Sequence, residues 1–405
     1  MSPESEIPIR SHPDSRRFAV RLAVFYGTLF GLVGTHLPFF PVWLKAIGLD
    51  ASWIGIIIAV PAVTRFTTLP FVTGLAERRQ TLRGAIIATA FLTAIGFSAV
   101  GLSRGAVVVF AAYVFTACVW TPIVPLTDGY ALKGVARYGL NYGPLRLWGS
   151  AAFIAGALAC GLLVDLIASQ HLIWVIAAMA AAGAIAGLGL GPIDAPGTTA
   201  AGSAGAAGLL SNLGFLAIIL ASALIQGSHA AYYAFASITW QASGFDGLTI
   251  AGLWALGVVA EIVVFALSPR FTVSPVWLVI IGASSAVVRW LVTAQEPSIA
   301  ILVAVQLMHG LTYGATLLGT MGLLVRNVPS HVAARAQGYL AACSGIVASS
   351  ASILSGVIYA QHGQGVYYVM AVMGAVGGLV IGLARRRVDG PHVVVDQPQR
   401  VASGG

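Results

Sequence analysis

Apolar residues in this chain do not alternate with polar ones; they accumulate in runs of about twenty, divided by short polar or glycine-containing turns. Twelve runs can be marked, at 18–44, 52–73, 84–102, 105–130, 144–168, 171–190, 212–238, 248–268, 275–295, 297–325, 333–360 and 365–384. Each is near the ~20 residues that cross a bilayer as a helix. The period-two pattern of a membrane strand is missing. The pattern predicts an all-α membrane protein with twelve transmembrane helices.

Composition agrees, with 58% hydrophobic and 8% charged residues and a mean hydropathy of +0.90 over 405 residues. Charge placement adds an orientation. Of the 21 Lys and Arg residues, Arg65 and Arg289 lie deep inside runs, and all the others except Lys45 and Arg104 fall on one side if both termini share that side. By the positive-inside rule the N- and C-termini are cytoplasmic. The net charge of +8 is then a matter of topology, and a nucleic-acid partner is not needed. The first run is too long for a cleaved signal peptide and is expected to remain as a helix in the cell inner membrane. Cys118, Cys160 and Cys343 are isolated within runs, so no disulfide, metal site or cofactor is indicated.

One compositional shift divides the chain. Residues 191–211, GPIDAPGTTAAGSAGAAGLLS, are small and flexible, and read as a cytoplasmic linker. The expected organisation is a disordered N-terminus (1–17), a six-helix bundle (18–190), the linker, a second six-helix bundle (212–384) and a cytoplasmic tail (385–405). Trp43, Gly48, Asp50 and Gly55 before Arg65 echo Trp240, Gly244, Asp246 and Gly252 before Glu261, as in an internal repeat. Two pseudo-symmetric halves of this kind hold a solute between them near the midplane and rock to give alternating access.

Arg65 and Glu261 are the first functional candidates. An ionised side chain at the bilayer centre costs at least ~2.5 to 3.5 kcal/mol, so it persists only beside a partner, a cavity or a transported solute. At ~1.5 Å per residue from the outer ends of their helices the two lie at matching depth. They are expected to interact, either as a static bridge or as a gate formed in one state. Helical spacing also puts Gln226, His229 and Tyr233 on one face, and Gln306, His309, Tyr313, Thr316 and Thr320 on another. For His229 and His36 an interhelical hydrogen bond competes with a ligand role; His309, near Arg289, is read as functional.

The stretches HLPFFPVWLKAIGLDASWIG (36–55), DGYALKGVARYGLNYGPLRLWGSAAF (128–153), RW (289–290) and QLMHG (306–310) resemble the major facilitator superfamily. The similarity is closest to its phenylpropionate permease and lactose permease branch, through VPLTD (124–128), YGPLRLWGS (142–150), QGSHAAYY (226–233) and LGVVAEIVVFALS (256–268). The resemblance implies that Asp128 and Arg146, eighteen residues apart, contact substrate, that Phe153 stacks on it, and that Glu261, Arg289 and His309 match the family's buried charged set. It also implies proton symport by a monomer. Departures are equally specific. Thr312 stands where sugar symporters place a proton-carrying glutamate, no counterpart exists for their helix 7 aspartates or helix 11 lysine, and the loop signature is reduced to LAERR (75–79) with Thr73 and Gln80 in place of glycines.

Three cavity arginines, Arg65, Arg146 and Arg289, outnumber Asp128 and Glu261, which suits a small anionic substrate. The expected function is proton-coupled transport of an aromatic or apolar monocarboxylate. Arg146 or Arg289 would bind the carboxylate, while Tyr233, Tyr313, Phe153 and Trp290 pack the ring. Arg65, Glu261 and His309 are the candidates for proton coupling and gating. The other readings are a sugar or nucleoside symporter, a channel or a non-transporting receptor. A P-loop is lacking, since Lys45 and Lys133 are followed by Ala and Gly. GLSRG (101–105) fits GxSxG but follows no strand, so a turn rather than an enzyme is read there.

Overall fold

A glycine in the left-handed region followed by an aspartate cap opens one helix in each half of the chain. Gly48 and Gly244 both have φ of 87°. Asp50 then accepts the Trp53 amide and Asp246 the Thr249 amide, satisfying donors that a helix start leaves free. Hydrogen bonds from the Thr249 hydroxyl and amide hold the Asp246 carboxyl below its ordinary range. Arg65 and Glu261 follow these caps at the same spacing, so the repeat read in the sequence is repeated in backbone conformation.

The computed structural model describes residues 13–140, 142–193, 207–329 and 332–389, and every regular element among them is helical. The first half contains α1 (Pro13–Ala46), α2 (Ala51–Phe66), α3 (Thr68–Arg78), α4 (Leu82–Leu102), α5 (Ala106–Trp120), α6 (Ile123–Tyr138), α7 (Tyr142–Val164) and α8 (Leu172–Leu188). The second contains α9 (Ala207–Ser211), α10 (Leu213–Gly227), α11 (Ala230–Ala242), α12 (Gly247–Leu267), α13 (Pro275–Thr293), α14 (Ile299–Leu307), α15 (Thr316–Asn327), α16 (Ala333–His362) and α17 (Val366–Val388). Among the described residues nine stretches are long and apolar enough to cross a membrane, or ten if the bent pair 51–66 and 68–76 is one span. Large apolar side chains such as Phe71, Leu102, Leu166 and Leu379 face outward, as lipid contact requires.

Helix α1 begins at Pro13, so residues 13–17 of the expected disordered N-terminus are helical, and Arg385, Arg386 and Arg387 extend α17. Residues 1–12, most of the linker (194–206) and the tail from 390 lie outside the described residues.

Several long apolar runs are broken near mid-depth, and the breaks have identifiable causes. Pro70 cannot donate to the carbonyl four residues back, and α2 and α3 meet at a 41° bend at Thr67. Pro122 and Pro125 divide α5 from α6. Between α14 and α15, Gly310–Ala315 forms a wide π turn, a local form often found at functional sites. Gly310 lets this turn approach α12, because a Cβ there would meet the Ala260 carbonyl oxygen at 2.5 Å.

The two halves touch where glycines permit backbone contact. A Cβ on Gly55 of α2 would meet the Ser352 oxygen of α16 at 2.6 Å, and one on Gly161 of α7 would meet the Gly247 oxygen of α12 at 2.5 Å. Ser352 Oγ donates to the Gly55 carbonyl at 3.0 Å. Asp165 accepts the Gly247 amide at 3.1 and 2.9 Å through its two oxygens. These contacts lie at the ends of α7 and α16 and the starts of α2 and α12, remote from the start of α1 and the end of α17.

Candidate functional site

In the second half, α13 delivers Arg289 to the centre of a polar cluster with 0% exposure. Its guanidinium donates to His309 Nδ1 at 2.8 Å, Thr312 Oγ1 at 3.1 Å and Gln306 Oε1 at 3.0 Å. Two aromatic faces complete the enclosure, with the guanidinium carbon 4.8 Å from the Tyr232 ring centre and 4.6 Å from that of Trp290. Tyr232 also donates to Gln306 Oε1 at 3.1 Å, and Trp290 donates to Ser228 Oγ at 2.9 Å.

His229 stands at the break between α10 and α11. Because a carbonyl only accepts, its Nδ1 carries the hydrogen shared with the Gln226 oxygen at 3.1 Å. Its Nε2 lies 3.0 Å from the Thr312 hydroxyl. Thr312 therefore joins Arg289 to His229. On the other side of Arg289, His309 Nε2 is 4.0 Å from Glu261 Oε2, and the Glu261 side chain keeps 23% exposure. The rings of His309 and Tyr313 stack at 5.5 Å, and those of His229 and Tyr233 at 6.0 Å. Tyr233 and Tyr313 are half-buried.

The first half contributes a carboxylate. Tyr26, fully buried on α1, donates to Asp128 Oδ1 of α6 at 2.6 Å. A second buried pair, His36 with Tyr113 at 3.0 Å, sits in an aromatic cluster with Phe40, Phe97 and Trp120. That environment is the interhelical hydrogen bond weighed for His36.

The sequence matches the MFS_1 like family over residues 19–370. The chain belongs to that family of transporters. The transporter is 33% identical over 362 residues to the "Probable 3-phenylpropionic acid transporter" of Escherichia coli (strain K12), covering 87% of this chain and 94% of that protein. It is 28% identical over 374 residues to the "Maltose permease" of Geobacillus stearothermophilus, covering 90% and 94%. Its fold matches the crystal structure of nucleoside transporter NupG with a TM-score of 0.79 at 16% identity, over 91% of this chain and 99% of that one. It is a multi-pass protein of the cell inner membrane and a carrier rather than an enzyme.

Of the residues singled out from the transporter's sequence, Glu261, Arg289, His309, Tyr313, His229 and Tyr233 come together in the second half. Asp128 sits in the first half with Tyr26. Phe153 is buried on α7, with its backbone against Gly34 of α1. Arg146 lies on α7, and its side chain is outside the described residues. Arg65 is exposed and forms no ion pair with Glu261 within 4.0 Å, although both charges lie within electrostatic reach of Tyr313. Sequence reasoning passed over Tyr26, Tyr232 and Asp165, and it treated Thr312 only as a lost carboxylate. A hydroxyl inside an apolar run is a weak signal, because serines and threonines also bond to their own helix, as Thr316 accepts from Thr320.

Proposed function

We propose that this transporter carries a small aromatic monocarboxylate of the 3-phenylpropionate type together with protons, by alternating access between two six-helix halves. The observation behind the substrate class is Arg289, a fully buried guanidinium whose hydrogen-bond partners are a histidine, a threonine and an amide rather than a carboxylate. A cation neutralised only through intermediaries favours an anion nearby. Arg65 and Arg146 add to the positive surplus over Asp128 and Glu261, and the half-buried Tyr233 and Tyr313 offer rings for packing an aromatic group. The 33% identical relative named for 3-phenylpropionic acid supports the same class.

Twelve crossings follow if α7 counts as a span and α16 and α17 as two, since the turn at Gly363 divides them. Both termini and the linker are then cytoplasmic, and the inter-half contacts through Gly55, Gly161 and Asp165 close the outer side. On this reading the conformation faces inward.

A sugar is the second reading, because Asp128 fixed by Tyr26 is an acceptor suited to hydroxyls and a 28% identical relative is named a maltose permease. Equilibrium binding to purified protein separates the two. Phenylpropionate should bind roughly ten-fold to over a hundred-fold more tightly than its amide, the effect of one charge-assisted contact, and the preference should collapse in Arg146→Gln or Arg289→Gln. Competition by maltose without competition by aromatic acids transfers the assignment to the sugar.

A further inference from the structure

Aromatic side chains are unevenly divided between the halves at the depth of Arg65 and Glu261. Trp290 is fully buried and donates to Ser228, and Phe153 is buried on α7, which leaves Tyr233 and Tyr313 of the second half as the half-buried rings among those singled out from the sequence. The repeat points to a counterpart in the first half. Helices α4 and α13 begin at Leu82 and Pro275, and α5 and α14 at Ala106 and Ile299, the same separation in both pairs. That separation carries Gly96 to Arg289, Thr116 to His309 and Trp120 to Tyr313. The arginine and histidine have no equivalent in the first half, because a Cβ on Gly96 would already meet Thr116 Oγ1 at 2.5 Å. The ring has one. Trp120 closes α5 before Pro122, as Tyr313 lies in the π turn after α14. Both stand as far from the starts of their helices as Arg65 and Glu261 do, about 21 Å at ~1.5 Å per residue.

The indole of Trp120 is held in place and yet left open. Buried His36 and Phe97 meet it edge-on, with ring centres 4.6 and 5.5 Å away and planes at 68° and 70°. The Thr64 and Thr121 hydroxyls, 2.6 Å apart, tie the residue before Arg65 to the residue after Trp120. Trp43, Trp254 and Trp290 each donate the indole N–H to a protein oxygen. The N–H of half-buried Trp120 makes no hydrogen bond among the described residues and is not enclosed. A bare donor at mid-depth is costly against lipid and is satisfied in a water-filled cavity. Arg65 of the first half reaches Tyr313 electrostatically, so Tyr313 borders the space between the halves from the other side. We propose that the indole of Trp120 is the first-half wall of the substrate site, stacking on the aromatic ring of the carried acid opposite Tyr313. This role rests on the aromatic-monocarboxylate reading above. The second half then supplies the charge that binds the carboxylate, and the first half a rigid π face.

Two acids of similar size separate stacking from packing: 3-phenylpropionate and 3-cyclohexylpropionate share the carboxylate but not the π face. Equilibrium binding to the purified full-length protein should favour the phenyl acid. Trp120→Leu should reduce that preference roughly two-fold to thirteen-fold, the worth of one aromatic pair beyond its buried area. Trp120→Phe should keep most of it. A purely structural Trp120 would shift both affinities together, so an unchanged ratio in Trp120→Leu overturns the proposal. Wild-type protein that binds maltose and neither acid removes the aromatic-acid reading, and the stacking role with it. Where Trp120→Leu does not fold, the wild type itself gives the answer. With 5-fluorotryptophan incorporated, the 19F line missing from Trp120→Phe should move on adding phenylpropionate and by much less on adding cyclohexylpropionate. Equal movement with the two acids, or none, also overturns it.

Discussion

Asp165, exposed just beyond the end of α7, grips the first amide of α12 in the other half, with its two carboxylate oxygens 3.1 and 2.9 Å from the Gly247 nitrogen. The bond places a negative charge at a helix N-terminus, where the backbone dipole favours it, and it joins the halves at the end remote from the start of α1. Asp165→Ala should therefore weaken this closed end by about 0.3 to 1 kcal/mol, at most a few-fold change in population. Labelling of a cysteine introduced near Gly161 should be faster in the variant; unchanged labelling would mean that the bond is incidental. The neighbouring cap, Asp246, has a lowered pKa, so its contribution is present above the unfolded carboxyl value near pH ~3.9 and is lost only as pH falls through the lower folded value.

Beside that bond, Gly247 has no room for a side chain. A Cβ there would meet Val164 Cγ1 at 2.0 Å and the Gly161 oxygen at 2.2 Å, and the second of these is backbone that cannot rotate away. Gly247→Ala should hold the halves apart at this end, leaving substrate binding from outside intact while net uptake falls. Spin labels across α7 and α12 should report a longer distance, and an unaltered distance with normal uptake counts against the contact as part of the cycle.

Arg65 and Glu261 occupy equivalent positions after matching caps, yet they form no ion pair within 4.0 Å in this conformation. The static bridge weighed from the sequence is absent between these two residues, and on the alternating-access proposal a bridge formed in the opposite conformation would be the gate. Removing one charge then strands the other, so Arg65→Gln or Glu261→Gln alone should exchange substrate more slowly than the double variant. If counterflow in the double variant is no better than in either single one, the two charges act independently.

Tyr26 donates to Asp128 at 2.6 Å from a fully buried position. Tyr26→Phe leaves the carboxylate without that donor, at a cost of roughly 1.5 to 3 kcal/mol for a bond to a charged group. The variant should lose thermal stability and show the same change in substrate affinity as Asp128→Asn. An affinity equal to wild type in Tyr26→Phe confines the pair to a structural role.

Reporter fusions at residues 200 and 400 should both read as cytoplasmic. Opposite readings at the two positions would break the six-plus-six repeat.

The order of residues determined by itself that the chain is helical and membrane-embedded, because bilayer thickness sets run length and lipid leaves the backbone no other open-chain solution. It also determined the two matching helix starts, since Gly48, Asp50, Gly244 and Asp246 specify their turns through local backbone chemistry. Arg289 and His309 were recognisable as charged or polar positions in apolar runs for the same solvation reason. Only the tertiary structure decided what these groups do. Tyr26 meets Asp128 across 102 residues and Asp165 meets Gly247 across 82, and helical periodicity carries no register between distant helices. The face His309 turns to Arg289, which decides the ring nitrogen that holds its hydrogen, depends on how α13 packs against the π turn at Gly310–Ala315. Even the role of Thr312, legible in sequence only as a missing carboxylate, comes from packing that puts one hydroxyl between a buried arginine and a buried histidine.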